Sequence, residues 1–227
     1  MSLADYQQTI ADLIRDKDQV LSLANINAAI STAVLRYSDD APRRLLVDQP
    51  AIAGSLQPLP AGWLADVSTL TGVEYPIDQS PQSVMELGQV SVRATPSGDR
   101  LELPITMTAG ETIRIGYTAL HTVDSGTDTI TAKYRYAVAC LAAANLCGQL
   151  AAYYATEGMP SIGADVSDHV GKTERFRSRK RDLEAEYVRA LGVPEKPVTA
   201  AAGAVAQMDS TDSQGNGRLF HGRRYPR

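Results

Sequence analysis

The residues that most often carry chemistry are scarce in this chain. Among 227 residues there are two cysteines, three histidines, one tryptophan and two phenylalanines. On one helix, the spacing of Cys140 and Cys147 is ~10.5 Å along the axis, too far for a disulfide between them. They read as reduced core thiols. Three scattered histidines complete no ligand spacing, so neither a metal nor a cofactor is expected. The Met1 end has no basic stretch followed by an apolar run, so no signal peptide is expected and the cytosol is the expected compartment. Proline is missing from the whole interval between Pro104 and Pro160. A long uninterrupted helix is therefore possible there.

That interval holds the most distinctive stretch, Tyr134 to Tyr154, built almost entirely of Ala, Leu, Cys, Gly and Tyr. Its composition predicts a helix over 132–156, about 36 Å long. Small and apolar residues cover nearly every face, so the helix must be enclosed on all sides. A lone domain of this size rarely encloses such a helix. Neighbouring subunits are expected to complete its cover, with Ala139, Ala143, Ala144 and Leu146 at the subunit interface. A membrane span is the competing reading, but Asn145, Gly148 and Gln149 interrupt the run and alanine adds little membrane affinity. No membrane is expected as a partner.

Around this helix the pattern predicts an α+β fold. It comprises a helical bundle of two N-terminal and two long C-terminal helices, an inserted antiparallel β subdomain and an extended C-terminal tail. The first helix covers about 4–16, with Tyr6, Ile10, Leu13 and Ile14 on one stripe. The second covers about 25–38, capped by Ser22 or Asn25 and closed before Pro42. Residues 43–47 look extended, and the proline-rich 48–60 reads as loop. Alternation of period two at Val73–Ile77, Val90–Ala94, Leu101–Met107 and Ile113–Tyr117 predicts a four-stranded meander over about 72–123. Turns fall at Pro96–Asp99 and Ala109–Glu111. A charged helix over 167–191 docks by a narrow stripe of Phe176, Leu183, Tyr187 and Leu191. The expected division is 1–42 N-terminal helices, 43–131 β-rich insertion, 132–192 helical hairpin and 193–227 flexible tail.

Net charge is −4, and the four arginines after Ser213 meet no acid, so the preceding body sums to −8. The tail after Val193 turns to Ala, Gly, Pro, Ser and Thr, the composition of a linker. It ends on a basic and aromatic segment from Arg218 to Arg227. Arg218, Leu219, Phe220, Arg223, Arg224 and Tyr225 are the candidate docking residues, pairing charge with apolar anchors.

Several motifs fail on inspection. Gly171-Lys-Thr173 lacks the first glycine of a phosphate loop, since Val166 stands in its place, and no strand precedes it. Ser167-Asp-His169 holds three triad residue types in consecutive positions, whereas a triad converges from separate ones. The basic run Lys172–Arg181 is tempered by interleaved acids and reads as a solvated face. Trp63 reads as packing, and His121 as a hydrogen-bonded histidine of the sheet. The residues alone point to an assembly module with no catalytic site.

The order of elements resembles a known family. Ile26-Asn-Ala-Ala-Ile-Ser-Thr-Ala-Val-Leu-Arg-Tyr-Ser38 stands in the N-terminal helices. Val73-Glu-Tyr-Pro76 and the run from Ile113 to Val123 follow in the strands. The alanine-rich helix and a charged helix ending Tyr187-Val-Arg-Ala-Leu-Gly192 come last. Together, over about Ser2–Gly192, these resemble the head-to-tail adaptor (connector) proteins of tailed bacteriophages. The strand insertion departs from the smaller, mostly helical adaptors, and the tail matches no motif of theirs. The resemblance implies a non-enzymatic ring, usually of twelve copies, beneath the portal protein. Such a ring extends the DNA channel and presents a surface to the downstream neck or tail protein. Double-stranded DNA would pass through its lumen without specific binding, which an acidic body suits. The expected portal contact is the Arg218–Arg227 segment. Competing readings are a tail-completion or other neck ring, a nucleic-acid-binding module using Lys172–Arg181 and the arginine tail, and a hydrolase.

Overall fold

Local signals set the helix ends. In the computed structural model, which describes residues 1–157 and 166–192, α1 spans Leu3–Ile14. Ser2 Oγ accepts from the Asp5 amide at 3.3 Å while the Asp5 carboxylate accepts from the Ser2 amide at 2.7 Å, a reciprocal capping box. Arg15 closes the helix in the left-handed region, φ 54°, donating its N–H to the Ala11 carbonyl. Helix α2 spans Leu23–Asp40, and Ser22 caps it by accepting from the Asn25 amide. A 3-10 turn over Ala132–Tyr134 leads into α3, Arg135–Glu157. Helix α4 covers Val166–Leu191.

These helices share one core. Helix α3 packs along α4, with α2 and α1 against its other faces. Tyr6, Ile10, Ile30, Tyr37, Leu146, Leu150, Leu183 and Tyr187 all lie in the same cluster. The N-terminal helices and the helical hairpin, set apart as 1–42 and 132–192 in the expected division, thus close on each other across the inserted strands. The tyrosines at the margin reach carboxylates: Tyr154 donates to Asp18 at 2.5 Å and Tyr187 to Asp40 at 2.7 Å.

The β-rich insertion differs from the expected meander. Six strands form two three-stranded antiparallel sheets. They are β1 Arg43–Pro50, β2 Gly54–Pro58, β3 Leu70–Glu74, β4 Ser91–Thr95, β5 Gly98–Met107 and β6 Thr112–Ala119. One sheet runs β1-β6-β3 and the other β2-β5-β4. The 48–60 stretch, expected as loop, supplies the end of β1 and all of β2. Its prolines are tolerated because Pro50 and Pro58 close strands that lie at sheet edges. The turns at 96–99 and 109–111 stand as expected, with Gly98 and Gly110 at φ 107° and 91°. Val73, Leu101, Leu103, Met107, Ile113 and Ile115 pack between the sheets as a second core. Gln57 is fully buried beneath the β1–β2 turn. Its amide accepts from the Ile52 N–H and donates to the Ile52 and Gly54 carbonyls, each at 2.8 Å.

Residues Met1–Val193 form one compact unit.

Candidate interaction surfaces

Helix α3 is where an interface was expected, and at the expected positions it has no exposed surface. Ala139, Ala143, Ala144 and Leu146 are each 0% exposed within a single chain. Helices α1, α2 and α4 supply the cover that neighbouring subunits were expected to give. Alanine makes this possible, because small side chains let several helices approach one axis closely. The four residues therefore present no surface to a second copy, a correction to their expected role. Cys140 and Cys147 share this burial. Desolvation raises both thiols, that of Cys147 to about 11, with the Arg179 charge opposing weakly. By length and composition α3 could cross a membrane, yet most of it is already buried against other helices, with Tyr136 and Tyr153 left exposed.

The tail residues Arg218, Leu219, Phe220, Arg223, Arg224 and Tyr225 lie outside the described residues, as do the Ser167-Asp-His169 side chains. Lys172 of the Gly-Lys-Thr run pairs with Asp18 at 3.2 Å and lies 5.0 Å from the centre of the Tyr154 ring. It braces α4 against the α1–α2 connection. Within Lys172–Arg181, Arg177 meets Glu174 and Lys180 meets Glu184 as exposed pairs along the helix, worth little each. Arg179 donates to the Leu13 carbonyl at the end of α1. His121 is buried with its ring nitrogens 3.0 Å from the carbonyls of Thr129 and Ala41. Trp63 packs on Tyr117, ring centres 5.9 Å apart. Among the described residues no group of three or more His, Cys, Asp or Glu is placed to hold a metal.

Two surfaces escaped the sequence reading. The first is the outer face of α2. No charged residue occurs from Gln19 to Leu35, and Leu23 and Leu35 are 60% and 51% exposed. Beside Leu35 a groove of about 490 Å³ runs between α2 and residues 121–124, with Leu3, Ile30, Val34 and Val123 as its apolar lining and Asn27, Ser31 and Asp124 among its polar lining. The charge-free run was the legible signal.

The second is the outer face of the β1-β6-β3 sheet. Leu46, Gly116 and Gly72 are partners across the three strands. Val84, which pairs with Glu74, reaches over Gly72, its Cγ1 3.7 Å from where a Gly72 Cβ would lie. The next row is Asp48, Arg114 and Glu74. Arg114 meets Asp48 with both Nε and Nη2, at 2.7 and 2.9 Å, and Glu74 and Asp78 with Nη1 at 3.3 and 3.0 Å. The two-pronged contact with Arg114 holds the Asp48 carboxyl below its ordinary range. The signal for this surface was a glycine in each of two strands, which becomes meaningful only once the register aligns them.

No family model matches the chain, and no curated protein matches it. Among solved structures it is similar to a chain in one described as the neck of a native GTA particle computed with C12 symmetry. The identity is 16%, covering 78% of this chain and 92% of that one, with a TM-score of 0.22. A TM-score this low carries no argument about function.

Proposed function

We propose that this chain is a non-enzymatic structural subunit of a virion neck, forming a ring of about twelve copies between the portal protein and the downstream neck or tail protein. The observation that carries the reading is the order of elements. Two N-terminal helices, an inserted strand region, an alanine-rich helix and a charged helix follow one another, the order on which the resemblance to phage head-to-tail adaptors rests. The ring extends the DNA channel. The acidic body suits a lumen through which duplex DNA slides, since basic walls would hold phosphate. The protein resides in the host cytoplasm during assembly and in the virion afterwards. The Arg218–Arg227 segment docks on the portal.

With α3 enclosed, the contact between subunits passes to the outer face of α2, where exposed leucines stand among Ala, Ser, Thr and Asn. From Gln19 to Leu35 such a face holds no charge to desolvate. The test is the purified protein by sedimentation and negative-stain imaging, alone and with portal protein. Closed rings are expected. Leu35→Arg should leave a folded monomer, because that side chain is not in the core. A wild-type chain that stays monomeric even with portal present, in particles that join tails without it, would overturn the reading.

A further inference from the structure

The outer face of the β1-β6-β3 sheet departs from what a solvated sheet face requires. Such a face is ordinarily polar. Here one whole row, Leu46–Gly116–Gly72, has no polar side chain, and Val84, paired with Glu74 in the next row, leans over Gly72. The two glycines leave a trough of about 170 Å³ with Leu46 and Val84 as its aliphatic sides and Thr71, Glu74, Gln82 and Arg114 also lining it. Leu46 is 74% and Val84 53% exposed. Gly116 is explained by packing, since an added Cβ would lie 2.6 Å from Thr71 Oγ1 and 3.1 Å from Leu46 Cδ2. Gly72 is not. A Cβ there would meet only Val84, at an ordinary 3.7 Å, and its φ lies outside the left-handed region. Gly72 follows the register shift between Leu70 and Gly72, where a strand glycine is common, and the trough stays open because no side chain stands at 72.

The ends of the trough differ in charge. At one end three carboxylates, Asp48, Glu74 and Asp78, surround the single Arg114 guanidinium, a surplus of two negative charges. Glu74 is buried and its oxygens also accept from the Asp78 amide and the Gln82 side chain. Asp48 and Asp78 face solvent and retain acceptor capacity. At the other end the next outward side chain of β1 is Arg44, opposite Thr118.

We propose that this trough is a docking site for a segment of another protein that inserts one leucine-sized aliphatic side chain between Leu46 and Val84 and places an adjacent Arg or Lys against Asp48 and Asp78. The charge surplus selects a basic segment over an acidic one. The glycine floor admits a side chain that any residue with a Cβ at 72 would partly displace. The site is independent of the ring: it is on the sheet, away from α2.

The probe is a short fluorescein-labelled peptide with one leucine followed by two arginines among glycines and serines, read by anisotropy at low salt against the full-length chain. Two control peptides replace the arginines by glutamates or the leucine by alanine. Binding of the basic leucine peptide alone is expected. Leu46→Ser or Val84→Ser should weaken it about tenfold. Gly72→Ala should weaken it with the chain still folded by circular dichroism. Asp78→Lys should weaken it and flatten its salt dependence. Equal binding of the basic and acidic peptides, or Leu46→Ser binding like wild type, would overturn the site. So would a loss of self-association in Val84→Ser, which would make the occupant a second copy of this chain.

Discussion

Gln57 shows how one polar side chain can organise a turn. It is fully buried, and its amide satisfies one N–H and two carbonyls of residues 52–54. Those groups lie where the chain enters β2, whose ladder with β5 is itself irregular between Gly54 and Leu56. Gln57→Leu conserves size and improves apolarity, yet it should destabilise the chain. Three groups lose their partner, and an unpaired buried group costs about 1–3 kcal/mol; Ile52 is itself exposed, so water meets part of the need and a total loss of roughly 2–4 kcal/mol is expected. Urea denaturation of the two proteins measures it. A midpoint unchanged from wild type would mean that water takes over those bonds at no penalty.

At the scale of elements, α3 makes the sharpest prediction. Enclosed by its own chain, it should keep Cys140 and Cys147 from a thiol reagent even in dilute monomer. Burial blocks access, and it holds the Cys147 thiol protonated up to about 11, well above a working pH of 8. Both thiols should react only as fast as the chain unfolds. Rapid reaction on dilution would restore α3 to a subunit interface. For the same reason Ala143→Arg should lose the fold itself, by several kcal/mol for an unpaired buried charge, rather than release folded monomers. The sequence made the existence of α3 and the need to enclose it legible, because alanine and leucine stand at every phase and Asn145, Gly148 and Gln149 argue against a membrane span. What encloses it was not legible, since the tight helix packing that small residues permit depends on partners about a hundred positions away. The strands divide in the same way. Alternation revealed β3 to β6, while β1 and β2 were half hidden by Pro50, Pro58 and Pro60, and their pairing with β6 and β5 left no local trace. The Leu46–Val84 trough follows from that pairing and was invisible for that reason. The charged outer face of α4 was legible throughout, its pairs lying along one helix.

For the whole molecule, the charge division predicts a division of labour. The body of residues 1–212 sums to −8 and the last fifteen residues to +4. If Arg218–Arg227 docks on the portal, truncation after Gly217 should leave rings that form alone but particles that fail at neck assembly. Truncated particles that package DNA and join tails like wild type would remove the docking role. The arrangement of the cores also orders events during synthesis. Helices α1 and α2 end at Asp40, but the helix that covers them begins only at Arg135. A ribosome working at about 5–20 residues per second needs roughly 5–20 s to bridge that gap. Through this time Tyr6, Ile10, Ala33 and Tyr37 have no finished core to enter. The six strands, all encoded in between, are complete first. The sheets are thus the first part of the nascent chain able to close, and the earliest-made helices must wait for the latest-made ones.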